Sequence, residues 1–150
     1  MAHALETAPI DVLLVDDSED DLLMMSEALQ DISSLRLLQT ARSGQEALDF
    51  LGERISDPAQ PFPKMMLLDI NMPGLNGFEV LARVKGDARL RSLPIVMLTS
   101  SSRDEDIVSS YTAGACSYIT KPIGFEKLVD TLSRFSAYWT RVARIPTRHA

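Results

Sequence analysis

The sequence predicts a doubly wound α/β fold: five parallel strands in the order 2-1-3-4-5, covered by five helices. Three observations carry this. Short apolar runs alternate five times with segments whose apolar residues recur at helical spacing. The runs are continuously apolar, as in parallel strands buried on both faces. Right-handed crossovers then leave few ways of joining five such units, and this order is the best match.

The elements follow in turn. Ile10-Asp11-Val12-Leu13-Leu14-Val15 reads as the first strand. After the acidic stretch Asp16 to Asp20, residues Leu22, Leu23, Met25, Ala28 and Leu29 give the first helix. Leu35 to Ala41 is the second strand, and Ser43-Gly44-Gln45-Glu46 has the pattern of a capping box opening a helix that buries Ala47, Leu48 and Leu51. The proline-rich stretch Asp57 to Pro63 is an insertion loop before the third strand, Met65 to Leu68. Phe78, Val80, Leu81 and Val84 mark a helix ending near Gly86. Pro94 introduces the fourth strand, Ile95 to Leu98, and Ile107, Val108 and Tyr111 form a helical stripe stopped by Gly114. Ser117-Tyr118-Ile119 is a short fifth strand. The last helix carries Phe125, Leu128, Val129, Leu132, Phe135 and Trp139.

A chain of 150 residues fits one domain. We divide it into a flexible N-terminus (1–9), a core domain (10–136) and a C-terminal extension (137–150) that is a candidate dimerisation arm. No stretch is apolar enough to span a bilayer, and the N-terminus lacks the features of a signal peptide. The one cysteine, Cys116, has no internal disulfide partner and reads as a small core residue. Cytoplasmic residence is the default. A net charge of −6 argues against general nucleic-acid binding. The tail from Arg134 is the exception, with Arg134, Arg141, Arg144 and Arg148 and no acid; a contact surface and a solvated end are equally good readings.

In this topology ligands bind at the carboxyl ends of the strands. Asp16 and Asp17 follow the first strand, Asp69 the third, Thr99 the fourth and Lys121-Pro122 the fifth. Each has an ordinary reading: helix-capping acids, a solvated strand-end carboxylate, a β-favouring threonine, a surface lysine. The first and third strands are neighbours, however, so three carboxylates share one crevice. That arrangement is costly without a cation, and a hard dication such as Mg2+ suits oxygen ligands. A hydroxyl and an ammonium on the same edge complete what phosphoryl transfer needs, and an aspartate can accept the group covalently. His3 and His149 lie near the chain ends, so no histidine-based catalysis is expected. Gly74 and Gly77 are not part of a phosphate-binding loop, because no Gly-Lys-Ser/Thr follows.

The segments "VLLVDD", "MLLDINMPGLNG", "VMLTSSS" and "SYITKP" resemble the CheY-like receiver domain of two-component response regulators, across roughly Ile10 to Arg134. The resemblance implies a stand-alone regulator that accepts a phosphoryl group on Asp69 from a sensor histidine kinase and is not an enzyme in its own right. It implies Mg2+, replaceable by Mn2+ or Ca2+, held by Asp17, Asp69 and the backbone carbonyl of Asn71, with Asp16 acting through a water. Thr99 and Lys121 would contact the phosphoryl group, and Tyr118 would be the aromatic switch. Asn71 and Ser101 occupy positions that tune dephosphorylation in the family. The proline-rich insertion and "VKGDARLRSLPIVMLTSSSRDEDI" look like the regulators paired with bacterial and cyanobacterial phytochrome kinases. In that subgroup the C-terminal arm dimerises, which would place Phe135, Trp139, Val142 and Ile145 in a homodimer interface. Further partners would be a histidine phosphotransfer protein or another protein target, but neither nucleic acid nor membrane.

Three rival readings are weaker. An FMN-binding flavodoxin would not place Asp16-Asp17 where the phosphate must sit. An aspartyl-phosphate phosphatase needs a second aspartate where Asn71 stands. A receiver acting only as a phosphate sink would have the same site without an output.

Overall fold

The computed structural model describes residues 8–146. His3, His149, Arg148 and most of the predicted N-terminal segment lie outside them. Ten elements alternate: β1 (Ile10–Val15), α1 (Glu19–Gln30), β2 (Leu35–Ala41), α2 (Gly44–Ile55), β3 (Met65–Leu68), α3 (Gly77–Gly86), β4 (Ile95–Thr99), α4 (Asp104–Thr112), β5 (Ser117–Thr120) and α5 (Phe125–Arg141). The sheet is parallel in the order β2-β1-β3-β4-β5, as predicted.

Side chains alternate across a strand, so the apolar strands feed two cores. Leu13, Val15, Met66, Leu68, Ile95 and Met97 pack with Ala47 and Leu51 of α2 and Val80 and Val84 of α3. Val12, Leu14, Met65, Leu67, Val96 and Leu98 pack with Met25 and Leu29 of α1 and Leu128 and Leu132 of α5. All four residues of β3 are at most 1% exposed. Each such side chain contributes about 1.5–3 kcal/mol by leaving water. The sheet is therefore a fixed platform for the groups at its edge.

Several local expectations change. Ser43 caps α2 by accepting the Glu46 N–H at 3.0 Å, but Glu46 returns its bond to the N–H of Arg42, not Ser43, so the box is not closed. The closed box belongs to α3: Asn76 accepts from Glu79 N, and Asn76 N donates back to the Glu79 carboxylate, both at 3.0 Å. We expect Asn76→Ala to cost about 1 kcal/mol, read as a lower urea midpoint with an unchanged slope.

The α4 stripe does not face the core. Val108 is 64% and Tyr111 50% exposed, and the helix buries only Ser110. Helical spacing identified the helix, but α4 lies beside edge strand β5, whose residues are themselves half-buried or, at Thr120, exposed, so little apolar surface is there to receive it. Cys116 is exposed rather than in the core; it sits just before that edge strand.

The C-terminal extension folds back. Phe135 is buried in the second core, and Trp139 and Ile145 pack against it, leaving Val142 71% exposed. Three of the four residues assigned to a dimer interface are thus used by the chain's own fold.

Candidate functional site: an acidic crevice at the carboxyl edge of the sheet

The strand register builds the site. Val15 pairs with Leu68 and Leu68 with Met97, so the residues that follow β1 and β3 emerge side by side, next to the end of β4. Asp16 N donates to Ala41 O and Asp69 N to Val15 O, which continues the ladder one step beyond the strands and fixes both backbones. Asp16, Asp17 and Asp69 each offer a carboxylate oxygen within 4.8 Å of the others. Asp16 is fully buried and Asp69 is 6% exposed, while Asp17 opens toward solvent.

Lys121 bridges the cluster. Its Nζ donates to Asp16 Oδ2 at 2.5 Å and to Asp21 Oδ2 at 2.8 Å, and lies 3.8 Å from Asp69 Oδ2. Burial alone would lower the Lys121 ammonium. The hydrogen bonds to Asp16 and Asp21 and the nearby Asp69 charge outweigh that and hold its pKa above the ordinary lysine value. Asp69 moves the other way from most paired carboxylates: burial raises it, and the Thr99 hydroxyl, the Lys121 charge and the Ile70 N–H at 2.9 Å offset this only in part. A carboxylate that is hard to ionise in place is one that the site favours neutralising by a cation or a covalent bond.

Thr99, fully buried, and Lys121 are joined through the main chain, Lys121 N donating to Thr99 O at 2.8 Å. The Lys121–Pro122 peptide is trans. The Tyr118 hydroxyl donates to Ser101 O at 2.8 Å, so the aromatic ring is tied to the loop leaving β4. Ser101 in turn donates to Asp106 of α4 at 2.6 Å. Asn71 is exposed in the loop beyond Asp69. The predicted groups Asp16, Asp17, Asp69, Thr99 and Lys121 are thus assembled at one crevice, with Tyr118 one loop away. Phe135, Trp139, Val142 and Ile145 are not part of it.

Residues 12–133 match the response regulator receiver domain family. The chain is a receiver domain. It is 34% identical over 139 residues to the probable methanogenesis regulatory protein FilR2 of Methanothrix harundinacea, covering 92% of this chain and 88% of that one. Among solved structures, the receiver domain is similar to the Mn2+-bound response regulator Rcp1, a protein of Synechocystis (TM-score 0.78, 31% identity, 93% of this chain and all of that chain). It is similar to the phosphorylated cyanobacterial phytochrome response regulator RcpA (TM-score 0.82, 31% identity, 93% and 100% covered).

Two residues of this receiver domain escaped the sequence reading. Asp21 reaches Lys121 from the first turn of α1, where an acid reads as an ordinary helix-start residue. Gly77 opens α3 with its backbone pressed against Asp69 and Ile70. A second concavity, of about 920 Å³, lies at the opposite edge of the sheet between the proline-rich loop and the C-terminal extension, and contains none of the acidic groups. No helix among the described residues is long and apolar enough to cross a membrane.

Proposed function

We propose that this receiver domain works as a single-domain response regulator whose phosphoacceptor is Asp69. The observation that carries this is the placement of Lys121: one ammonium shared by Asp16, Asp21 and, at 3.8 Å, Asp69. The donor is the phosphohistidine of a sensor kinase. A carboxylate oxygen of Asp69 bonds to phosphorus as the phosphorus–nitrogen bond breaks, and the histidine nitrogen leaves with the electron pair. Lys121 then shifts its donation to a phosphoryl oxygen, and the Thr99 hydroxyl donates to another.

The acidic cluster fits a hard dication, since three carboxylates with converging oxygens exceed what one lysine can neutralise. Mg2+ would be held by Asp17, Asp69 and the Asn71 carbonyl, with Asp16 acting through a water; Mn2+ or Ca2+ would substitute. When bound it supplies the positive charge that lets the crevice admit an anionic phosphoryl group. The protein is an acceptor with slow self-dephosphorylation rather than a turnover enzyme.

Output runs through the path Thr99, the loop at Ser101, Tyr118 and α4, whose Val108 and Tyr111 are exposed, together with Ile123 and Phe125 ahead of and at the start of α5. A two-state face biased by a local charge suits contact with a protein target or a phosphotransfer protein. Pairing with a phytochrome kinase rests on the likeness to RcpA. We place the protein in the cytoplasm, where kinases make phosphohistidine.

The test is labelling with acetyl phosphate. With Mg2+ the protein should gain one hydroxylamine-labile phosphoryl group; with chelator, or in Asp69→Asn, it should gain none. Equal labelling of Asp69→Asn sinks the proposal.

A homodimer is part of the same reading, but its contact must use the side of the extension left open, Tyr138 and Val142, at 53% and 71% exposure. Val142→Asp leaves the core untouched. It should reduce the sedimenting mass of a dimer to that of a monomer, as should a chain cut after Ser136. If both keep the wild-type mass, the extension is not the interface.

A further inference from the structure

We propose that Asp21 is a positioning residue that holds Lys121 away from Asp69 in the unphosphorylated protein and competes with the phosphoryl group for it. This rests on the assignment of Asp69 as phosphoacceptor. An ammonium has three N–H donors. In this structure one goes to Asp16 at 2.5 Å and one to Asp21 at 2.8 Å, while Asp69 Oδ2, at 3.8 Å, is beyond hydrogen-bond distance. The Lys121 side chain is 11% exposed, so its donors are not freely exchanged with water.

Asp21 differs from the other carboxylates on this lysine. It is outside the group of oxygens that converge as a candidate metal site, which comprises Asp16, Asp17 and Asp69. A cation held there would weaken the Asp16 contact by drawing on the same carboxylate, whereas Asp21, outside that group, would keep its carboxylate for Lys121. The Asp21 side chain is also not what caps α1: the cap is formed by the main-chain N–H of Asp21 donating to Ser18 Oγ. An acid in a first helical turn gains from the helix dipole wherever it points; the dipole does not explain why this one reaches a lysine 100 residues away. Moving Lys121 onto a phosphoryl oxygen therefore means giving up or sharing a charge-assisted bond to Asp21. That bond sets how strongly the site prefers the unphosphorylated arrangement.

The experiment is a titration with beryllofluoride, an anion that mimics a phosphoryl group on a carboxylate, at Mg2+ concentrations verified as saturating for each variant. Binding is followed by the amide resonances of Thr99 and Tyr118, and the Lys121 side-chain ammonium resonance is recorded. The wild type should bind and Asp69→Ala should not; if these two are alike, the phosphoacceptor assignment itself fails, whatever Asp21 does. Given that control, Asp21→Asn should bind about five-fold tighter than wild type. It should also show a displaced Lys121 ammonium resonance before any ligand is added. Asp21→Glu, which restores the charge, should return to within about two-fold of wild type. Unchanged or weaker binding by Asp21→Asn overturns the proposal. Should that variant fail to fold, as judged by its thermal melt, Asp21→Ser is read by the same criterion.

Discussion

Asp69→Asn should melt at a higher temperature than the wild type in the presence of chelator, while losing all phosphoryl acceptance. Four carboxylates, from Asp16, Asp17, Asp21 and Asp69, share the crevice with one lysine. Asp69 is nearly buried, and burial is the largest influence on it, raising its pKa. A buried carboxylate with incomplete compensation costs stability, and an isosteric amide keeps the acceptor for the Ile70 N–H without the charge. A gain of about 2 kcal/mol is the expected scale, or roughly 4–8 °C in melting temperature. The pH dependence fixes the sign. Because the folded-state pKa lies above the unfolded one, the folded state holds more protons in the window between them. Wild-type stability therefore falls as pH rises through that window, and the full cost is present above the folded-state pKa. The advantage of Asp69→Asn should shrink as the pH is lowered through the window, and vanish below about 4. An equal or lower melting temperature at neutral pH contradicts this account.

Gly77→Ala should be the most damaging glycine-to-alanine change among the glycines of helices and loops, since its added Cβ makes the closest approach of any, and to backbone. A Cβ there would collide with the carbonyl oxygen of Asp69 and come within 2.8 Å of Ile70 Cα. Both obstacles are backbone, so no side-chain rotation relieves them. Gly77 N also donates to Ile70 O at 2.8 Å, tying the start of α3 to the segment that carries Asp69. Overpacking of this kind costs about 3 kcal/mol, with a drop of roughly 6–12 °C in melting temperature. The displacement falls on the Asp69 backbone, so divalent-metal affinity should fall with it. Gly52→Ala is the control: it is in α2, has open space around it, and should be neutral or stabilising by about 0.5–1 kcal/mol. Similar effects from the two would show that contact with Asp69 is not the cause.

These two sites also show what could and could not be read from residues alone. β1 and β3 were legible to the residue because apolar runs bounded by turn residues have few other uses, and β2, which carries Arg36, Gln39 and Thr40, because it is a short segment bounded by turn residues between two helices. The five edge groups were legible because each follows such a run, and topology brings run ends together. Gly77 was not, because its requirement is a tertiary one, a carbonyl from another segment where a Cβ would be. Asp21 was hidden by a sufficient local explanation, an acid at a helix start. The α4 stripe misled for the converse reason: spacing reveals a helix but not whether anything covers its apolar side. At the C-terminal extension, apolar residues beyond a minimal core were read as an interface, and Phe135, Trp139 and Ile145 instead extend the core itself.

That extension has an architectural consequence. Ala8 and Pro146 border the same cavity, together with Ile10, Lys64 and Pro94 at the amino ends of the strands, whereas Asp16, Asp69, Thr99 and Lys121 stand at the carboxyl ends. Both described chain ends therefore sit at one pole of the molecule and the chemistry at the other. The receiver can be spliced into a larger polypeptide, or its ends tied together and the chain reopened in a surface loop, without any covalent join passing near the phosphoryl group. The fold is in this sense a plug-in module, with its mounting and its working end on opposite sides.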